Sequence, residues 1–145
     1  MFRHILIATD GSDLAQIAVD KGLGLAKVLG AKVTIVMVTP SWTSMVPGEA
    51  AMSFPVEEYT RAIDENARAV LLSAASVAKR AGIECATLHE ADQFPAEGIL
   101  SAAKETACDL IVMASHGRRG LQRLFLGSQA QEVLTHSSVP VLICR

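Results

Sequence analysis

The stretch "DLIVMASHGRRGLQRLFLGS", Asp109–Ser128, decides how the chain is read. Its first part, "DLIVMAS" (109–115), is a nearly continuous apolar run, the signature of a strand covered on both faces in a parallel sheet. Its last two residues, Gly127-Ser128, open a helical pattern whose Ser128-Gln-Ala-Gln131 start reads as a capping box. Between them lie Gly117 and Gly120, and Arg118, Arg119 and Arg123 within six residues. Glycines admit close approach of backbone N–H groups to an anion, a helix N-terminus favours negative charge, and arginines add charge-assisted bonds. The segment therefore reads as a phosphate cradle at a strand-to-helix junction.

Three further apolar runs match that first part: "HILIAT" (4–9), "KVTIVMV" (32–38) and "VPVLIC" (139–144). A fifth, "IECATLHE" (83–90), is less apolar and suits a sheet edge. Helical spacing fills the gaps at 13–29, 56–81, 95–107 and about 129–136, with Gly30 and Gly82 as stops and Pro95 at a first helical position. This β-α alternation predicts an α/β fold, an open doubly wound five-stranded parallel sheet with helices on both faces. The 145 residues read as one domain, 1–145, without repeats. Residues 39–55, with three prolines, form a long irregular loop. Its Trp42, Met45, Met52 and Phe54 are placed either over a bound ring or packed onto the domain.

Composition narrows the function. Half of the residues are hydrophobic, which excludes disorder. A net charge of −2 and 4% aromatics argue against a nucleic-acid binder. No apolar run approaches the ~18 residues of a membrane span, and no secretory signal is read at the N-terminus, so a soluble, cytoplasmic protein is expected. Cys85, Cys108 and Cys144 share no metal or disulfide spacing and read as buried reduced thiols. His4, His89 and His136 are dispersed, with strand-end or solvent-facing roles. Gly22 and Gly24 lie inside the first helix and read as close packing, in place of a dinucleotide fingerprint.

In doubly wound sheets ligands bind beyond the C-terminal strand ends, where the strand order reverses. Two such ends carry polar residues: Thr9-Asp10-Gly11-Ser12, and Ala114-Ser115-His116-Gly117 running into the basic turn. If the two strands are neighbours, Asp10 faces that turn across one crevice, placed for a ribose hydroxyl or a metal.

At this point the chain resembles the universal stress protein family, whose motif reads Gly-x-x-Gly-x(9)-Gly-Ser/Thr. It maps onto Ala114, Gly117, Gly127 and Ser128, with Ala114 standing where the first glycine belongs. "ILIATDGS", "VTIVMV" and "SSVPVLICR" resemble the family's first, second and terminal strands. The resemblance implies a Rossmann-like sheet of order 3-2-1-4-5 and a homodimer paired through strand 139–144. It implies a stress-response regulator that binds ATP, with Mg or Mn as a possible bridge. Its implied nucleotide contacts are Thr9, Asp10, Val38, Ala114, His116, Gly117, Arg118, Arg119, Gly120, Gly127, Ser128 and Gln129. Asp10 would take the ribose, the backbone of Val38 the adenine edge, and Gly127 and Ser128 the phosphates. No base-plus-arginine arrangement marks an efficient ATPase, so at most slow hydrolysis is expected.

Two other readings compete. One is a dimeric interaction module that binds no nucleotide. The other, more remote, is a Ser/His/Asp hydrolase built on Ser115 or Ser128, His116 and Asp10. It lacks Gly-x-Ser-x-Gly, and adjacent strand residues such as Ser115 and His116 should point to opposite faces.

Overall fold

The computed structural model describes residues 1–46, 48–53, 55–117 and 125–145, the side chains of 51 and 52 excepted. Five strands, β1 (His4–Ala8), β2 (Lys32–Thr39), β3 (Cys85–Ala91), β4 (Leu110–Ala114) and β5 (Val141–Cys144), form one sheet of order β3-β2-β1-β4-β5. Every pairing is parallel. The helices are α1 (Asp13–Leu29), α2 (Trp42–Met45), α3 (Val56–Arg80), α4 (Pro95–Glu105) and α5 (Ser128–His136). The order reverses between β1 and β4, because β1 leads through α1 to β2 on one side while α4 returns the chain to β4 on the other.

The apolar runs are strands because both of their faces are covered. Ile5, Leu6 and Ile7 are all fully buried, yet they alternate between two cores. Ile5 and Ile7 join α1 and α3 through Val19, Leu23, Ala67 and Leu71. Leu6 joins α4 and α5 through Ile99, Ala102, Ala130 and Val133. Burying each such large aliphatic side chain contributes about 1.5–3 kcal/mol. A polar residue in this stretch would therefore cost one core or the other.

Local signals set the helix ends. Ser12 caps α1 by accepting the Ala15 N–H at 3.2 Å, and Gly30 closes it in the left-handed conformation at φ 66°. Gly22 is there for space: a Cβ on it would lie 2.6 Å from Ile7 Cδ1, so α1 sits close against the sheet. Gly24, by contrast, has no neighbour within 4 Å. Within 39–55, read from sequence as irregular, the described residues form α2 and a short 3-10 turn at Gly48–Met52. Trp42 packs against Tyr59 of α3, ring centroids 4.4 Å apart, as the packing alternative for this loop expects. Phe54 and the side chain of Met52 lie outside the described residues.

Candidate functional site

The site is built where β1 and β4 end side by side. Beyond β1 the chain turns sharply through Gly11 at φ 79°. Thr9 Oγ1 accepts the Gly11 N–H at 3.2 Å, and Asp10 Oδ1 accepts the Ser12 N–H at 2.9 Å. The second carboxylate oxygen, Oδ2, is directed at Gly117, where an added Cβ would stand 3.0 Å from it. Asp10 and the start of the glycine segment thus meet across the reversal point, as the strand-neighbour condition required.

On the β4 side, a three-residue backbone chain fixes the turn. The Ser115 N–H donates to the Cys144 carbonyl at 2.8 Å, and the Ser115 carbonyl accepts the Gly127 N–H at 2.9 Å. A Cβ on Gly127 would lie 2.8 Å from that same carbonyl oxygen. Gly127 has φ −63° and ψ 151°, open to any residue, so the glycine is required by the close approach alone. It is also the N-cap of α5. This corrects the expected capping box, since Ser128 is the first helical residue and makes no capping bond. Ser128 is instead exposed at the helix N-terminus, where the dipole and unpaired N–H groups favour an anion.

Val38 closes the third side. Along β2 the backbone groups alternate between neighbours: Val33 donates toward β3, while Val36 accepts the Thr9 N–H at 2.9 Å on the β1 side. The last β1–β2 register pair is Ala8 with Val36. Val38, two residues on, therefore directs its N–H and C=O past the end of β1 into the crevice. Its side chain is seated on α4, where a Cβ on Gly98 would come within 2.5 Å of Cγ1. Sequence reasoning missed Gly98, although a lone glycine inside a helical pattern is the usual mark of such an approach.

The remaining candidates divide. Ala114 has no positive φ, and its methyl packs in the α1–α3 core beside Ile7 and Val112, so the altered motif position is absorbed by the interior. His116 lies beside the turn, with Cδ2 3.4 Å from a Cβ on Gly127. Its Nδ1 bonds Ser115 Oγ at 3.0 Å. That contact corrects the stereochemical objection to a Ser–His pair: β4 ends at Ala114, so strand alternation no longer governs 115 and 116. Ser115 is nevertheless only 4% exposed, and its hydroxyl is not presented to a substrate. Gln129 turns its side chain to α4, where Oε1 accepts the Ala96 N–H at 2.9 Å. Arg118, Arg119, Gly120 and Arg123 lie outside the described residues.

Away from the crevice, the thiols are passive. Burial raises the pKa of Cys85, Cys108 and Cys144, and all three are free. Cys85 is only half-buried on the edge strand β3, less enclosed than the sequence suggested. Among the described residues no three His, Cys, Asp or Glu side chains gather as a metal site. No helix among them is long and apolar enough to cross a membrane.

An open parallel sheet of this order, with helices on both faces and a glycine turn at its reversal point, defines a Rossmann-like α/β protein. The family model of the universal stress proteins matches residues 1–145, and the chain belongs to that family. Universal stress protein YxiE of Bacillus subtilis is 34% identical over 152 aligned residues that span all of both chains. Among solved structures, universal stress protein UspA from Lactobacillus plantarum superposes with a TM-score of 0.86 at 23% identity, over 99% of this chain and 97% of that one. A universal stress protein from Archaeoglobus fulgidus in complex with dAMP gives 0.68 at 20% identity, over 100% and 98%. Another, in complex with cAMP, gives 0.70 at 24% identity, over 98% and 95%.

Proposed function

We propose that the chain binds an adenine nucleotide, ATP in the first place, in the crevice between β1 and β4, and serves as a cytoplasmic, homodimeric regulator in a stress response. The observation that carries the reading is the Gly127 turn. The close approach of Gly127 to Ser115 O fixes the N-terminus of α5 at the end of β4, where its first N–H groups would receive an anion. Asp10 would accept from the ribose hydroxyls, and the outward N–H and C=O of Val38 would read the adenine edge. The N–H groups at Ser128 and Gln129 would take the phosphates, with Thr9, Ala114, His116, Gly117 and Gly127, whose own N–H is bonded to Ser115 O, lining the path between. Arg118, Arg119 and Gly120 belong to the same proposed lining.

The described residues supply too few carboxylates and imidazoles for a metal cage of their own. A Mg or Mn ion bound with the nucleotide would draw on phosphate oxygens, with Asp10 and Ser128 as oxygen donors that could hold it. The two relatives solved with dAMP and cAMP support an adenylate as the ligand class.

For the dimer, β5 is the edge strand that calls for a partner. Among the described residues it pairs with β4 alone, and Leu142 on it is 40% exposed. Pairing with its symmetry mate would cover both the open backbone groups and the apolar side chain.

Mass spectrometry of small molecules released from freshly purified protein tests the ligand. Recovered adenine nucleotide in near-stoichiometric amount is expected. Protein that releases none, and gives no heat on titration with ATP and Mg²⁺, would overturn the reading.

A further inference from the structure

Helix α4 begins without a cap of its own. Its N-cap residue is Phe94, which carries no acceptor, and Pro95 follows at the first position. The orphan N–H of Ala96 is answered from another helix, by Gln129 Oε1 at 2.9 Å in the first turn of α5. Of the two ends of the side-chain amide only the oxygen can accept, so this bond also fixes which way the Gln129 amide faces. Ala96 is fully buried and Gln129 partly so, which strengthens the bond and makes its loss costly. Below it the two helices share one apolar cluster, Ala96, Ile99, Ala130 and Val133.

Gln129 stands two residues after Gly127, on the turn to which the phosphates were assigned. We infer that Gln129 is a positioning residue for that turn: its side chain ties the first turn of α5 to the N-terminus of α4, so that the N–H groups of 128 and 129 are held in place before an anion arrives. The inference rests on the nucleotide reading for its functional consequence, but the tie itself belongs to the unliganded protein. It also separates two roles within one residue. The backbone N–H of Gln129 faces the proposed phosphates, while the side chain acts through Ala96.

Two substitutions divide the possibilities. Gln129→Ala deletes the tie. Gln129→Glu keeps an acceptor for the Ala96 N–H, and a carboxylate near two helix N-termini is favourable. It also sets a negative charge beside the proposed phosphates.

The experiment is amide hydrogen exchange by NMR on the unliganded full chain, together with titration of ATP and Mg²⁺. In Gln129→Ala, exchange should quicken by about fivefold or more at Ala96, and also at Gly127 and Gln131, whose N–H groups are bonded to Ser115 O and Gly127 O. In Gln129→Glu, all three should return to the wild-type rates. The ATP dissociation constant should rise about three- to tenfold in Gln129→Ala, through lost preorganisation. In Gln129→Glu it should rise by an amount that shrinks as salt is added. Quickened exchange confined to Ala96, or an unchanged dissociation constant in Gln129→Ala, would overturn the inference. If wild-type protein binds no ATP while Gly127 and Gln131 still respond, the tie stands and the nucleotide reading falls.

Discussion

Replacing Gly127 by alanine isolates the tightest contact of the crevice. The backbone there, φ −63° and ψ 151°, suits alanine, so the effect is purely steric. The new Cβ would stand 2.8 Å from Ser115 O, whereas a relaxed carbon–oxygen contact is about 3.3 Å or more. The obstacle is backbone and cannot rotate aside. It can retreat by half an ångström only by stretching the Gly127–Ser115 bond of 2.9 Å, and with it the Ser115–Cys144 bond of 2.8 Å. Each weakened bond is worth about 0.5–1.5 kcal/mol net, and overpacking strain adds about 1–3 kcal/mol. The smaller entropy of the unfolded alanine chain returns about 0.4–1 kcal/mol. A net loss of about 1–5 kcal/mol follows, or roughly 3–15 °C in Tm for a chain of this size. Scanning calorimetry reads it, with Gly24→Ala as the control. Gly24 has an exposed helical site with nothing within 4 Å, and alanine there should stabilise by about 0.5–1 kcal/mol. If Gly127→Ala melts at or above wild type, as Gly24→Ala should, the close-approach argument for this turn is wrong.

Other consequences can be checked in the same preparations. Gly98→Ala gains helix propensity but drives a methyl to 2.5 Å from Val38 Cγ1, beneath the proposed adenine edge; a drop of about 1–2 kcal/mol in urea unfolding is expected. Asp109 accepts the N–H groups of Arg3 and His4 at 2.8 and 3.0 Å. Burial pushes its carboxyl upward, but these bonds together outweigh it and hold the pKa below the usual value. Its contribution should therefore be full above pH ~4 and be lost as the pH falls through the folded value. Asp109→Asn should remove that part of the acid transition and cost about 1–2 kcal/mol at pH 7. His4 is buried against Thr34, with Nε2 2.9 Å from Oγ1, and burial followed by the charge of Lys32 lowers its pKa. Stability should then be complete above pH ~6.5 and decline as the pH falls below it. His4→Val should flatten that slope in unfolding curves taken between pH 7.5 and 5; an unchanged slope would sink the assignment.

Much of the fold is legible because parallel strands advertise themselves. A strand buried on both faces carries few polar residues, and 4–9, 32–38 and 109–115 are apolar except at their ends and at Thr34. The strand order came from resemblance, since nothing in a single run states which neighbour it takes. The meeting of the two strand ends was legible in residue types: Asp10 faces Gly117, and Gly127 lies against Ser115 and His116. What was not legible depends on contacts between distant residues. The Gln129–Ala96 bond joins residues 33 apart in sequence, and no local pattern distinguishes this glutamine from any other in a first helical turn. The shift of the N-cap from Ser128 to Gly127 has the same origin. The carbonyl of Ser115 holds Gly127, and that backbone bond takes the place a capping side chain would fill. His116 reached Ser115 because β4 stops one residue sooner than the apolar run suggested.

The central claim is that the β1–β4 crevice takes an adenine nucleotide through Asp10. Isothermal titration of ATP with Mg²⁺ into wild-type protein and Asp10→Ala tests it most directly. Binding by the wild type, weakened at least tenfold in Asp10→Ala (about 1.4 kcal/mol or more), is the predicted result. Equal affinities in the two proteins, or no binding by the wild type, would contradict it.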